Sequence, residues 1–245
     1  MFDAAPDGPH GGQVVTLDLH RFEGVGARIW AVTQMGAARV PLWRMPGLTF
    51  RKLCGSGAGE GFDALPESRH WAILAVWEDA AAAEAGRAGA PFAAWRARAD
   101  EHMGLTMRAV SARGTWAGRR PFAPAGPPAP GPIAVLTRGT VRARHLARFW
   151  RRVPGISAVI GADPSVMMKV GIGELPWRHQ ITFSIWPDAA SMARFARGDT
   201  PHGRAIAAVR SGDWFAEELY ARLAVLRAEG TWGGRALALP AEHAT

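Results

Sequence analysis

The sequence predicts an α+β protein made of two tandem ferredoxin-like units, which together form a pseudo-symmetric fold of the dimeric α+β-barrel type. Three observations predict it: a Pro-rich stretch divides the 245-residue chain nearly in half, short motifs recur on both sides, and each half has the pattern β-α-β-β-α-β. Each unit would have helices on only one face of its sheet. We therefore expect two four-stranded sheets to cover each other and to leave an apolar pocket between them.

The proposed units are separated by the stretch RRPFAPAGPPAPGP, residues 119–132. Proline lacks the backbone N–H that helices and sheets require, so this stretch is predicted to be an extended linker between the units 13–118 and 133–233. Residues 1–12 are rich in Gly, Pro and Asp and lack the pattern of a secretory signal. They are predicted to form a disordered tail, and residues 234–245 a second tail.

The internal repeat is visible as five motif matches in the same order. These are Met45-Pro46-Gly47 with Val153-Pro154-Gly155, Gly57-Ala58-Gly59-Glu60 with Gly171-Ile172-Gly173-Glu174, Arg69-His70 with Arg178-His179, Trp77 and Asp79 with Trp186 and Asp188, and Gly114-Thr115-Trp116 with Gly230-Thr231-Trp232. Conserved order and spacing indicate a duplicated unit rather than chance.

The elements of the two copies are predicted in parallel from periodicity and composition. Strands are expected at 14–19, 50–55, 71–77 and 105–112 in the first copy, and at 133–137, 166–172, 180–186 and 219–226 in the second. A helix follows each first strand and ends at the Pro-Gly pair. The second helices are expected at 80–102 and at 189–210, the latter interrupted near 198–201.

Composition excludes several classes of protein. A single cysteine, Cys54, rules out an intrachain disulfide and a Cys-rich metal site, and it suits a reducing, cytoplasmic compartment. No apolar run has the length of a membrane span. The net charge of +8 comes almost wholly from arginine, and no basic stripe is interleaved with stacking aromatics. We therefore expect no nucleic-acid partner, whereas peripheral contact with anionic lipid at the inner membrane surface is compatible with the charge.

The histidines differ in what their positions indicate. His20, His102 and His145 fall near the ends of elements, where a surface imidazole is ordinary, and no role is assigned to them. His70 and His179 occupy the same position in both copies, which favours a structural hydrogen bond at a strand end over a ligand role.

His202 is the histidine that breaks the repeat, because Phe92 occupies the matching position in the first copy. Asp199 or Thr200 can cap a helix that starts at Pro201, so His202 falls in its first turn. The positive end of the helix disfavours imidazolium and keeps a lone pair available for a metal. From these residues alone, a metal ligand and a merely packed histidine remain open alternatives.

Long strings of the chain resemble the spheroidene monooxygenase family, the carotenoid ketolases of purple phototrophic bacteria. They are WAVTQMGAAR (30–39), PGLTFRKLCGSGAGEGF (46–62), FWRRVPGISAVIGADPSVMMKVGIGE (149–174), HQITFSIWPDAASMARFA (179–196) and PHGRAIAAVRSGDWFAEELYARLAVL (201–226). The resemblance runs from about residue 14 to residue 232. It implies an enzyme that contains haem b and oxidises acyclic carotenoids such as spheroidene. Two successive hydroxylations of a methylene group would give a geminal diol, which loses water to leave a ketone.

The resemblance also implies roles for particular residues. The similar haem proteins of the dimeric α+β-barrel type carry their proximal histidine on a helix of the second unit, a place that His202 fits and for which His179 is the alternative. Glu174 or Glu217 would accept the other ring proton of that histidine. Lys169, Gln180 and Arg51 are the candidates for a polar group on the oxygen-binding side.

Electrons must come from outside the chain, since no nicotinamide or flavin fingerprint is present, and a ferredoxin-type donor is expected. The catalytic residue itself and the oligomeric state are left open. Two other functions remain: a haem or lipophile carrier without turnover, and a cofactor-free oxygenase of the same fold.

Overall fold

The computed structural model describes residues 12–57, 66–126, 130–151, 164–175, 177–197 and 214–240. Its strands are β1 (Val14–Arg21), β2 (Leu48–Gly57), β3 (Pro66–Trp77), β4 (Glu101–Gly114), β5 (Ile133–Val141), β6 (Met168–Ile172), β7 (His179–Trp186) and β8 (Phe215–Gly230). Its helices include α1 (Val25–Ala37), α2 (Arg39–Trp43), α3 (Ala80–Ala88), α4 (Phe92–Arg98) and α5 (Ala189–Arg197), and a 3₁₀ turn spans Ala143–His145. The eight predicted strands are confirmed; β6 is shorter than expected and the other seven are longer.

The strands form one antiparallel sheet in the order β2-β3-β1-β4-β8-β5-β7-β6. The expectation of two separate sheets is therefore wrong. The sheets are joined because β4 and β8, the two longest strands, pair with each other from Met103 opposite Gly230 to Gly114 opposite Leu219. We call β2, β3, β1 and β4 the first half-sheet, and β8, β5, β7 and β6 the second half-sheet.

The two edge strands also meet. Gly55 N donates to Gly173 O at 2.9 Å, and Gly173 N donates to Gly55 O at 2.8 Å. This bridge closes the sheet upon itself, so one face points inward and the other outward. The largest buried cluster draws side chains from all eight strands, among them Leu17, Leu74 and Phe183. Successive strand residues alternate between faces, which places Asp18 and His20 outside and Leu17 and Leu19 inside.

Strand register relates the half-sheets at most of the matched motifs. The first residue of β1, Val14, lies opposite Trp77, and the first residue of β5, Ile133, lies opposite Trp186. The match of 57–60 with 171–174 is wrong by four residues. Gly171 lies opposite Thr182, and its counterpart opposite Ile73 is Leu53 rather than Gly57. The strand pairing is irregular after Gly55, so the shift of four residues could not be recognised by comparing the two halves of the sequence.

The outer face of the first half-sheet is covered by helices α1 to α4. Large rings fill this layer, including Trp71, Trp77, Phe92 and Trp95. Helix α3 begins at Asp79, whose side chain accepts a hydrogen bond from Ala82 N at 2.8 Å. The single helix predicted over 80–102 is wrong: it is broken at 89–91, because Pro91 cannot donate a helical hydrogen bond, and residues 101–102 belong to β4.

Part of the Pro-rich segment packs against the closed sheet. Phe122 is buried in the interior cluster, and Ala125 N donates to Ala109 O. The unit boundaries given above stay predictions. Within the described ranges, no helix combines the length and the apolar composition that crossing a bilayer requires.

Candidate functional site

A cluster of charged side chains lies around Glu174 at one end of the closed sheet; we call it the Glu174 cluster. Lys52 Nζ lies 2.5 Å from Glu174 Oε2, and Trp116 Nε1 donates to Glu174 Oε1 at 2.6 Å. Trp116 is fully buried, and the Lys52 ammonium also sits over its ring. Glu174 therefore fixes a cation and an indole that come from the first half-sheet and the loop after β4.

Arg138 extends this cluster from β5 to Glu217 on β8. Its guanidinium is 2% exposed and donates to Glu217 Oε2 at 2.5 Å. Glu217 also accepts hydrogen bonds from Thr115 Oγ1 and from the backbone of Ala117 and Gly118. Burial by itself would raise the pKa of Glu217, but these hydrogen bonds outweigh it and lower the pKa to about 2. Glu217 is therefore ionised and holds the Gly-Thr-Trp turn through hydrogen bonds.

His179 borders the same cluster. Its Nδ1 lies 3.7 Å from Glu174 Oε1 and is buried without a hydrogen-bond partner. Burial lowers the pKa of His179, with Glu174 opposing this effect and Arg138 adding to it. The ring is therefore neutral at neutral pH and keeps a lone pair, which is what a metal ligand requires.

The structure brings some of the predicted site residues together and separates others. Glu174, Glu217 and His179 belong to one cluster on the inner face. Gln180 and Lys169 lie on the outer face, where Gln180 is opposite Gly139 and Lys169 is opposite Ser184, about 13 Å apart along the strands. Arg51 is on the outer face of β2 by the same alternation. His202 lies outside the described residues.

A cavity of about 580 Å³ opens at the other end of the interior. Its apolar wall includes Met103, Met168, Val170, Trp232 and Leu237, and its polar groups include Arg21, His70 and Glu101. It runs along five consecutive residues of the β6 region, 166–170, and so includes Lys169, one of the predicted site residues. Apolar and polar side chains line this cavity in comparable measure, and its size suits a small molecule or one end of a longer one.

The two ends of the closed sheet are built alike but filled differently. Glu101 Oε1 accepts from Thr231 Oγ1 and Gly234 N, just as Glu217 holds the Gly-Thr-Trp turn at the opposite end. His70 packs edge-on against Trp232, with ring centroids 5.3 Å apart. At the Glu174 end the equivalent volume is occupied by the buried Trp116 and its partners, whereas at the Trp232 end it is the cavity.

The outer faces of the half-sheets differ in size of side chain. In the first half-sheet, His20 pairs with Trp71 and Asp18 with Ile73. The corresponding pairs in the second half-sheet are Gly139 with Gln180 and Thr137 with Thr182. Phe215 packs over Gly139, but the other positions keep small or flexible polar side chains. We call Thr137, Lys169, Gly171, Gln180 and Thr182 the polar floor.

One buried polar group, around Asp18 and His20 on the outer face of the first half-sheet, was not expected from the sequence. His20 is fully buried and His102 is half-buried, so their interpretation as surface imidazoles is wrong. His102 Nε2 lies 3.1 Å from Asp18 Oδ1, and Arg87 from α3 lies 2.9 Å from the same oxygen. The signal was the alternation Leu17-Asp18-Leu19-His20, which puts both polar residues on the face that helices cover.

Within this group, Asp18 is ionised and His20 is neutral. Burial opposes ionisation of Asp18, yet the hydrogen bond from His102 and the charge of Arg87 hold its pKa below the usual value. Burial lowers the pKa of His20 to about 3, so its ring is neutral. In the part of the chain that the structure describes, no three His, Cys, Asp or Glu side chains are arranged to hold a metal ion.

Comparison with known proteins identifies close relatives of the chain. No family model matches it. It is 48% identical over 226 residues to spheroidene monooxygenase of Rhodobacter capsulatus, covering 91% of this chain and 94% of the relative. It is 34% identical over 235 residues to spheroidene monooxygenase of Rubrivivax gelatinosus, covering 95% and 90%.

The fold also resembles a solved structure. An aldoxime dehydratase has a TM-score of 0.62 at 13% identity, covering 90% of this chain and 84% of that one. At this identity the likeness concerns the fold alone. The two sequence relatives, by contrast, are similar over nearly their whole length. The chain therefore belongs to the spheroidene monooxygenase family and is an enzyme of the oxygenase class.

Proposed function

We propose that this enzyme is a haem-dependent monooxygenase that oxidises acyclic carotenoids of the spheroidene type to keto-carotenoids. The observation that carries the proposal is the cavity of about 580 Å³, whose wall is formed by apolar and polar side chains in comparable measure, in a chain whose close relatives are named spheroidene monooxygenase. A polyene end group is apolar and narrow. It would exchange water for Met103, Met168 and Val170 when it enters the cavity.

The haem would lie on the polar floor of the second half-sheet. Trp71 and Ile73 fill this position in the first half-sheet, but Gln180 and Thr182 replace them in the second, which leaves room for a planar group. Helix α5 packs nearby through Met192 against Trp186. His202, which follows α5 along the chain and lies outside the described residues, is the proposed proximal ligand.

The residues of the floor suit the opposite side of the haem. Gln180 can donate or accept a hydrogen bond, and Lys169 supplies a positive charge beside the cavity. When bound, haem supplies an iron centre that activates molecular oxygen. Lys169 belongs both to the polar floor and to the cavity lining, so it would hold a proton near the substrate, whereas Gln180, about 13 Å away along the strands, would contact only the haem.

His179 is the alternative ligand. Its ring is neutral, and with the proton on Nδ1, which lies 3.7 Å from Glu174 Oε1, the lone pair of Nε2 would be the one available to iron. Lys52 and Arg138 weigh against it, because two cations near the ring disfavour a positively charged iron. We therefore keep His202 as the proximal ligand.

The overall reaction consumes an external reductant. Each hydroxylation inserts one oxygen atom of O₂ into a C–H bond and reduces the other atom to water with two electrons and two protons. The second hydroxylation gives a geminal diol, and loss of water leaves the ketone. We propose a ferredoxin-type protein as the electron donor.

The architecture would have arisen by tandem duplication of a ferredoxin-like unit. Support comes from equivalent residues that meet across the two halves: Gly55 bridges Gly173, and Met103–Gly230 mirrors Leu219–Gly114 in the β4–β8 pairing. A third correspondence is that Glu101 and Glu217 accept equivalent hydrogen bonds from the two Gly-Thr-Trp turns. The single continuous sheet counts against two separately folded units, so the proposal rests on the paired positions alone.

The cavity is tested by filling it. We expect the double substitution Met103→Trp and Met168→Trp to lower kcat/KM for ketone formation by about a hundredfold, because two indoles would displace the end group from its position. The double substitution Met103→Leu and Met168→Leu conserves volume and serves as the control, with little change. Equal activity of the folded Trp variant, judged by far-ultraviolet circular dichroism, would rule out the cavity as the substrate site.

A second test concerns electrons. Purified enzyme with oxygen and spheroidene should form ketone only when a reduced ferredoxin system is supplied, as measured by chromatography of the carotenoids. Ketone formation without reductant would contradict the proposal. An enzyme that lacks a Soret band yet turns over would be a cofactor-free oxygenase, and haem binding without turnover would indicate a carrier.

A further inference from the structure

Helices α1 and α2 present an exposed apolar face to solvent. Of the eight large apolar side chains that are exposed within the described residues, five are on these two helices: Val25, Ile29, Val32, Val40 and Trp43. Val25 and Trp43 are each 69% exposed, and Ile29 is 61% exposed. We call these five residues the α1–α2 face.

The spacing of these residues makes the face continuous. Val25, Ile29 and Val32 are separated by four and three residues, so they form one stripe along α1. The opposite side of α1 packs on the protein through Ala31, with Trp30 and Met35 beside it. A helix that is apolar on both sides needs cover on both, and the first half-sheet covers only one.

The charges around the face indicate what covers it. From residue 24 to residue 57 the sequence has five basic residues and no acidic one. Arg39 at the start of α2 and Arg44 just after its end are both exposed. Exposed aliphatic side chains and an indole beside arginines, in a segment with an excess of positive charge, are the combination that binds at the surface of an anionic bilayer.

A second copy of the chain fits this surface less well. A twofold dimer through the α1–α2 face would bring the same arginines of both copies together, with no carboxylate of the segment to pair with them. The acidic headgroups of a membrane supply the missing negative charge, and its outer acyl region accepts Ile29 and Trp43.

We propose that the α1–α2 face docks this enzyme on the anionic surface of a lipid bilayer, with the apolar side chains inserted at the level of the headgroups. The inference rests on the proposed function for its purpose, since carotenoids dissolve in lipid and the enzyme would collect them there. Docking itself depends only on the face.

The test is flotation of the whole protein with vesicles of phosphatidylcholine, alone or with a third of phosphatidylglycerol. We expect binding to the anionic vesicles. The double substitution Ile29→Gln and Trp43→Gln should lower the partition coefficient at least tenfold, while the control Leu175→Gln, an exposed apolar residue elsewhere, should not change it. Arg39→Gln with Arg44→Gln should lower binding to anionic vesicles about tenfold and leave neutral vesicles unaffected.

Two measurements separate this proposal from others. Far-ultraviolet circular dichroism shows that each variant is folded, and turnover of detergent-solubilised carotenoid should be the same in the docking variants as in the wild type. If neither the wild type nor any variant turned over the carotenoid, the proposed function would be contradicted, but the result of the flotation experiment would still hold. Wild-type protein that does not float, or a dimer in light scattering that Ile29→Gln with Trp43→Gln converts to monomer, would overturn the docking proposal.

Discussion

We expect His202→Ala to abolish stable haem binding, so that the purified variant lacks the Soret band. A haem with one proximal ligand needs one histidine that is not duplicated, and His202 aligns in sequence with Phe92 of the first copy. Without the His202 imidazole, the protein would lose its proposed bond to the haem iron. The band is measured by absorption spectroscopy after haem reconstitution, with far-ultraviolet circular dichroism to show that the variant is folded.

His70→Ala and His179→Ala are the matched controls and should leave most of the Soret band in place. His70 lines the cavity and packs on Trp232, while His179 borders the Glu174 cluster, so each has a structural reason for its position. If folded His179→Ala loses haem and folded His202→Ala keeps it with an unchanged spectrum, then His179 is the proximal ligand and the interpretation of the repeat is inverted.

Glu217→Ala should lower the free energy of unfolding by about 3 kcal/mol, because it leaves the buried Arg138 guanidinium with only the Glu174 carboxylate, 3.8 Å away. It also removes the acceptor that holds the turn at Thr115 and Gly118. Urea denaturation followed by tryptophan fluorescence measures the change, since Trp116 lies in the same turn.

Glu101→Ala is the matched control, because Glu101 clasps the equivalent turn at the other end of the sheet. Its partner Arg21 has a side chain that is 36% exposed and can be solvated after the substitution, so we expect a loss of about 1.5 kcal/mol. Equal losses for the two variants would contradict the assignment of the larger effect to the stranded Arg138.

The pH dependence of stability follows from the same carboxylate. The pKa of Glu217 is lowered from about 4.3 in the unfolded chain to about 2 in the fold, so its stabilisation is complete above the unfolded value. It is lost as the pH falls towards 2. The difference in stability between wild type and Glu217→Ala should therefore shrink between pH 5 and pH 2.

Local chemistry was readable from the sequence because it depends on neighbours along the chain. Alternating apolar residues predicted the eight strands, and the second helices of the two copies begin where they were predicted, at residues 80 and 189. The family followed from long strings of residues, which carry far more information than any single motif. Glu174 and Glu217 were also identified from the sequence as candidate site residues. Their partners Lys52 and Arg138 were not predicted.

The strands, their order and the family could be predicted from the sequence, because periodicity and local spacing are properties of a linear chain, although the break of the second helix at 89–91 was missed. The pairing of β4 with β8, which joins the halves into one closed sheet, is a contact between distant residues and is seen only in the folded structure. It also decided that one end of the interior is filled by Trp116 and the other is a cavity beside Trp232. The Gly-Thr-Trp motif occurs at both ends, so the difference comes from side chains of other segments. These are Lys52 and Glu174 at the Trp116 end and Met103 at the cavity end.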